Sequence, residues 1–118
     1  MSRLELKENL EKYTRIEDCP IRNVIAKFTG KWSILILCVL SENPTTRFNS
    51  ISRAIPDISP KVLTSTLKTL EEEHLIQREL FAEIPPRVEY SLTGKGRSLM
   101  PILFNLIEWL LKTEINNY

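Results

Sequence analysis

The sequence contains little glycine, cysteine or histidine, and the shortage of the last two excludes several kinds of site. The two cysteines, Cys19 and Cys38, lack metal-type pairing, so we expect neither a disulfide scaffold nor a zinc site. The single histidine, His74, would lack partners as a metal ligand or catalytic base, and we expect a capping or surface role for it. The sequence shows no phosphate loop, paired catalytic carboxylates or CxxC motif, so we expect no enzyme and no cofactor.

Long apolar segments are also missing. The longest apolar run, residues 34–40, is much shorter than the roughly 20 residues needed to span a bilayer. The N-terminal residues alternate between charged and apolar types, unlike a secretory signal. We therefore expect a cytoplasmic protein that does not associate with membranes.

The composition that remains is that of one globular domain. The 118 residues are 42% hydrophobic and 26% charged, which suits a single domain spanning 1–118. The net charge is only +1, but basic residues outnumber acids between Lys31 and Thr69. This basic middle is compatible with a nucleic-acid face, and chance scatter of charge is the alternative.

Hydrophobic periodicity, proline positions and capping residues predict mostly helices, with one pair of strands. In chain order the predicted elements are helices at 4–13, 20–30 and 31–40, a turn at 41–46, a short helix marked by Phe48, Ile51 and Ile55, a helix at 59–73, strands at 76–82 and 87–92, and a last helix capped by Thr93. The helix at 31–40 is apolar on nearly all sides and should be the central buried helix. This order indicates a mainly α fold with a small β-hairpin wing, a winged helix-turn-helix, with the helix-turn-helix at 47–73 and the wing at 76–92.

Two patterns near the C-terminus predict which side chains are buried. The second strand alternates with period two, which assigns Val88, Tyr90 and Leu92 inward and Arg87, Glu89 and Ser91 outward. The last helix carries Leu99, Leu103, Leu106 and Leu110 on one side. Pro101 should kink this helix or mark its true start.

The helix at 59–73 has two contrasting faces. Ser59 suits the N-cap and Pro60 the first helical position, while Leu63, Leu67 and Leu70 form a stripe for the core. The opposite stripe has two cations, two hydroxyls and no acid: Lys61, Thr64, Ser65 and Lys68. Such groups suit phosphates and base edges in a major groove, and a solvated surface face is the alternative. The acids at 71–73 are compatible with DNA binding only if that end points away from the duplex.

Four motifs in this order resemble the HxlR-type regulators, a branch of the MarR-like winged helix-turn-helix proteins. They are GKW at 30–32, ISPKVLT at 58–64, PPRVEYSLT at 85–93 and G-R-S at 96–98, and the resemblance runs from about residue 19 to about residue 109. The resemblance implies a bacterial-type transcriptional regulator, more often a repressor, that binds double-stranded DNA as a homodimer. It further implies that the terminal helices, 1–18 and 94–118, form the dimer interface. In the family a glycine usually stands where this chain has His74.

The resemblance also implies roles for individual residues. The helix at 59–73 would enter the major groove and the wing a flanking minor groove. The DNA-binding set is then Ser59, Lys61, Thr64, Ser65, Lys68, the wing residue Arg87, and Arg47 and Lys31 at backbone phosphates. For Arg87 the alternative is a strand-edge cation paired with Glu83 or Glu89. An inverted repeat is expected as the binding site, with half-sites about 34–36 Å apart.

Cys19 precedes Pro20, which places its thiol next to a helix N-terminus, where the helix dipole favours the thiolate. Several HxlR-type proteins use a cysteine at this place to sense oxidants or electrophiles, so Cys19 is a candidate redox sensor. The alternative is an inert thiol at a helix cap. Cys38, within an apolar helix, is expected to serve packing.

Two questions stay open in the sequence. The apolar surface of the last helix predicts a dimer, but the N-terminal helix could instead cover it within one chain. The low net charge also leaves a second function open, in which the chain is a winged-helix module that binds protein partners and not DNA. A small-molecule effector is neither indicated nor excluded.

Overall fold

The computed structural model describes residues 2–12 and 30–116. The chain divides into two units, Met1–Lys31 and Trp32–Tyr118. In the first unit, helix α1 spans Arg3–Lys12, and the Ser2 hydroxyl caps it by accepting a hydrogen bond from the Glu5 N–H at 3.1 Å. The helix predicted to begin at Pro20 lies outside the described residues.

The remaining elements follow the predicted order closely. They are α2 (Lys31–Ser41), β1 (Thr46–Arg47), α3 (Phe48–Ala54), α4 (Pro60–Glu72), β2 (Ile76–Phe81), β3 (Arg87–Leu92) and α5 (Gly94–Asn116). The strands form an antiparallel sheet in the order β1-β3-β2. In the described parts of the chain, no helix is long and apolar enough to cross a membrane.

The core lies between α2, the α3–α4 pair, the sheet and the start of α5. Its fully buried side chains are Ile36, Leu37, Leu40, Ile51, Leu63, Leu67, Leu70, Leu75 and Ile76. Helix α2 contributes three of them, which agrees with its predicted central place. Its burial is not uniform, however, because Leu35 is 42% exposed.

The strand β1 was not predicted, since residues 41–46 were assigned to a turn. Thr46 lies opposite Tyr90 and Arg47 opposite Glu89, so β3 is the middle strand of three. Two residues are too few to show a strand periodicity. One burial prediction is wrong: Ser91, expected to face solvent, is only 9% exposed, and the last three residues of β3 are all buried.

Helix α5 is continuous through Pro101, so this proline does not mark the helix start. Only its first half is packed in the core, where Met100 and Leu103 are buried. The leucine side of the helix continues past the core, where Leu106 and Leu110 are 44% and 48% exposed. A helix of 23 residues is roughly 35 Å long and extends past the core of so small a domain.

A tight backbone contact joins the end of α4 to the start of α5. Thr93 caps α5 as predicted, its hydroxyl accepting from the Gly96 N–H at 3.1 Å and donating to the His74 carbonyl at 2.5 Å. The Thr93 N–H also donates to the Leu75 carbonyl at 3.0 Å. A Cβ atom on Gly96 would lie 2.1 Å from that carbonyl oxygen, so only glycine fits there.

We expect Gly96→Ala to destabilise the protein by about 1–3 kcal/mol, because the new methyl group forces two backbone segments apart. The matched control is Gly94→Ala, since a Cβ atom there meets nothing within 4 Å. The control should leave the stability unchanged or slightly raised. Urea unfolding of both variants measures the difference, and equal stability of the two would contradict the contact.

Candidate nucleic-acid interface

Helix α4 begins as its sequence predicts. The Ser59 hydroxyl accepts from the Val62 N–H at 3.1 Å, and Pro60 occupies the first helical position. Leu63, Leu67 and Leu70 are buried, which fixes the rotation of the helix against the core. The opposite stripe is therefore held outward.

That outward stripe has the predicted members, Lys61, Thr64, Ser65 and Lys68, and each of them is exposed. Neither lysine forms an ion pair with any residue that the structure describes. Their ammonium groups are thus available to an external anion. The stripe contains no carboxylate, so this part of α4 presents a positive surface.

The two hydroxyls of the stripe are oriented by the helix itself. Thr64 Oγ1 donates to the Pro60 carbonyl at 2.8 Å, and Ser65 Oγ donates to the Val62 carbonyl at 3.0 Å. Each hydroxyl proton is used within the helix, so the oxygen lone pairs are left for an external donor. In this arrangement the stripe offers cations that bind anions and oxygens that accept hydrogen bonds.

The acidic end of α4 is closed by a left-handed residue. His74 has φ 59°, and its N–H donates to the Glu71 carbonyl at 2.9 Å. The Leu75 N–H donates to the Leu70 carbonyl at 3.1 Å, which completes a Schellman motif. This is the position for which a glycine was expected, and histidine adopts the same backbone.

A cation supports the same helix end. Lys95 Nζ, from the first turn of α5, donates to the Glu73 carbonyl at 3.0 Å. A positive charge at a helix C-terminus interacts favourably with the negative end of the macrodipole. Here it also offsets the three neighbouring carboxylates, which are unfavourable at that end. The acids at 71–73 thus form the C-terminal end of α4, while Lys61, Thr64 and Ser65 lie in its N-terminal half and Lys68 one turn before Glu71.

The wing places Arg87 differently from a free DNA contact. Arg87 Nη1 lies 3.2 Å from Glu83 Oε1, and its Nε lies 3.6 Å from Glu89 Oε1. Its guanidinium also stacks 4.2 Å from the centre of the Phe81 ring. This is the paired arrangement that the sequence analysis gave as the alternative, and DNA contact by Arg87 would require an exchange of partners.

The remaining candidates, Arg47 and Lys31, belong to elements other than α4. Arg47 is exposed where β1 meets α3, and it lines a recess of about 420 Å³ shared with Asn49 and the wing residue Pro86. Lys31 begins α2, but its side chain lies outside the description. The structure thus groups the α4 stripe and places Arg47 toward the wing.

One basic residue escaped the sequence analysis. Arg78 is exposed on β2 and lines a groove with Thr64 and Lys68 of α4. A period-two pattern could have indicated it, because Ile76, Arg78 and Leu80 share one face of the strand. Only the packing of β2 against α4 reveals which helix residues lie beside it.

Of the two cysteines, Cys38 lies within the described residues. Cys38 is a free, half-buried thiol, and burial together with the nearby Glu42 carboxylate raises its pKa. A raised pKa lowers the thiolate fraction, which agrees with the predicted packing role. Cys19 lies outside the described residues.

A helix, a tight turn, a second helix with a polar outer face and an adjoining hairpin define a winged helix-turn-helix protein. Residues 27–116 match the family described as HxlR-like helix-turn-helix, and the chain belongs to that family. It is a transcriptional regulator with a helix-turn-helix fold, as the relatives below also are.

Three similar proteins show the range of the family. An uncharacterised HTH-type transcriptional regulator of Methanothermobacter thermautotrophicus is 47% identical over 91 residues, which are 77% of this chain and 69% of that protein. A crystal structure of a MarR-family regulator of Porphyromonas gingivalis is 40% identical with a TM-score of 0.68, covering 86% and 95% of the two chains. The redox regulator HypR in its oxidised form is 36% identical with a TM-score of 0.70, covering 77% and 93%.

We expect His74→Gly to stabilise the protein by about 0.5–1 kcal/mol, because glycine relieves the left-handed strain by more than it adds in chain entropy. Glu72→Gly is the matched control, since Glu72 is the last helical residue and the same replacement there should destabilise. Thermal unfolding of both variants makes the comparison. A destabilised His74→Gly variant would show that the histidine side chain has a role beyond closing the helix.

Proposed function

We propose that this protein is a homodimer that binds double-stranded DNA sequence-specifically at an inverted repeat and represses transcription there. One observation carries the proposal: a well-capped helix, α4, is anchored by three buried leucines and presents an outward stripe of two lysines and two hydroxyls with no acid. Among the described residues, neither lysine has an ion-pair partner. Cations suit phosphate oxygens, and the hydroxyl oxygens suit the amino groups of adenine or cytosine in the major groove.

The distribution of charge along α4 supports insertion of its N-terminal half into the major groove. Recognition helices dock with the N-terminal residues toward the bases. Ser59, Lys61, Thr64 and Ser65 lie in that half, with Lys68 one turn further on. The acids at 71–73 then lie outside the groove, where they do not oppose the phosphates.

The flanking contacts have supporting roles in this proposal. Arg47 and Lys31 bind backbone phosphates. Arg87 binds in the minor groove beside the wing after exchanging Glu83 and Glu89 for the DNA backbone. Because its present ion pairs are partly exposed, the exchange is not costly.

We expect Lys68→Ala to weaken binding to the DNA upstream of the protein's own gene and to an unrelated duplex by the same factor. Each lost phosphate contact reduces the slope of log K against log salt by roughly 0.9. Lys112→Ala is the matched control, since Lys112 is an exposed lysine of α5 that pairs with Glu108. Fluorescence anisotropy at several salt concentrations measures both slopes. If no genomic DNA binds and light scattering shows a monomer, a protein-binding module replaces this proposal.

The dimer part rests on the second half of α5. This half and the helical turn before it carry large exposed apolar side chains: Ile102, Phe104, Leu106, Trp109, Leu110 and Leu111, each 44–64% exposed. Apolar surface of this extent in a small soluble protein marks an interaction site. We assign it to a second copy of the chain, since two-fold pairing of one helix satisfies both copies at once.

We expect Leu106→Glu to raise the dimer dissociation constant at least roughly 100-fold, because a carboxylate would be buried without a partner. Asn105→Glu adds the same charge one residue away, at an exposed polar position, and should leave the dimer intact. Sedimentation equilibrium compares the two variants. A Leu106→Glu protein that stays dimeric would place the interface elsewhere.

The redox part of the proposal assigns sensing to Cys19. Its support is the position before Pro20 and the likeness to the redox regulator HypR. We expect the Cys19 thiol to have a pKa well below the free value of about 8.5. The pH dependence of alkylation in a Cys38→Ser background measures it, and an oxidant should weaken DNA binding unless Cys19→Ser is present. An ordinary pKa with oxidant-insensitive binding would remove this part alone.

A further inference from the structure

The groove between α4 and the hairpin contains a second basic residue. Arg78 lies opposite Tyr90 in the β2–β3 pair, on the sheet face that adjoins α4. The groove has a volume of about 270 Å³ and is lined by Thr64, Leu67, Lys68, Glu71, Arg78 and Tyr90. The groove therefore opens beside the stripe proposed to face DNA.

Arg78 differs from the other arginine of the hairpin in having no partner among the residues that the structure describes. Arg87 has two carboxylates and an aromatic ring around its guanidinium. Arg78 is exposed and forms neither an ion pair nor a hydrogen bond with the residues that the structure describes. Among the hairpin cations, Arg78 is thus the one ready to bind an external anion.

The groove also contains one acid, which does not neutralise it. Glu71 lies one turn after Lys68 and forms no ion pair with Arg78 within 4.0 Å. Two cations against one carboxylate leave the groove positive at the end where Lys68 and Thr64 lie. A phosphate group at the edge of the major groove is the anion that this geometry suits.

We propose that Arg78 binds a phosphate of the DNA backbone next to the phosphate bound by Lys68, so that hairpin and recognition helix hold one strand between them. This inference rests on the proposed function and names a contact at the root of the wing rather than at its tip. A contact there would fix how deeply α4 enters the major groove of the DNA, because the sheet and the helix are packed against each other.

The test uses the full chain with Arg78→Ala and Arg78→Lys, and Arg97→Ala as the matched control. Arg97 is also exposed but belongs to α5, where it lines a different recess with Leu40 and Met100. Arg78→Ala should reduce the salt slope by roughly 0.9 and weaken the upstream DNA and an unrelated duplex by equal factors. Arg78→Lys should retain the slope, because the slope counts neutralised phosphates and lysine keeps the positive charge. The control should match the wild-type slope.

The other outcomes each overturn the inference in a recognisable way. A slope equal to that of the control would mean that Arg78 contacts no phosphate. A loss confined to the upstream DNA, not restored by lysine, would mean that Arg78 reads a base. A lowered melting temperature with an unchanged slope would make Arg78 a structural counter-charge for Glu71. If the wild-type protein binds no DNA, both proposals fail, whereas a Lys68 effect without an Arg78 effect removes this one alone.

Discussion

The close approach of Gly96 to the Leu75 carbonyl is the constraint on which the rest of the domain depends. It holds the chain where three elements meet: the end of α4, the first strand of the hairpin and the start of α5. Thr93 reinforces this point through hydrogen bonds to both His74 and Leu75. Because interiors are close-packed, a shift here would move α4 relative to the hairpin and to α5 together. The candidate DNA-facing stripe and the exposed half of α5 are thus joined through one short segment.

The charges of the domain are divided between internal and external partners. Arg87 is used within the wing by Glu83 and Glu89, and Lys95 is used to close α4. The lysines of the α4 stripe have no such partner among the described residues. A near-neutral chain therefore presents a locally positive surface without a large excess of basic residues. Net charge alone is a weak guide to nucleic-acid binding in a protein of this kind.

Most of the helix-turn-helix could be predicted from the sequence. Ser59, Pro60 and the leucine stripe of α4 are local signals at fixed spacing, and the observed helix has the predicted cap and the predicted faces. The strand at 87–92 was also predicted with its observed bounds. The predictions failed where a partner came from elsewhere in the chain. Strand β1 exists only through its pairing with β3, and its two residues have no pattern of their own.

The sequence by itself determined the capped, two-faced α4, because helix caps and periodicity depend on neighbours within four residues. It also determined the family, through motifs spread along the chain. The left-handed backbone at His74, where the family usually has glycine, is seen only in the structure. Only the tertiary structure decided which basic side chains are free. It selected the paired arrangement of Arg87 with Glu83 and Glu89, which the sequence left as one of two alternatives. It also placed Arg78 beside Lys68, because β2 packs against α4. The contact of Arg78 with the α4 groove joins residues ten positions apart in different elements, so spacing along the chain carries no signal for it.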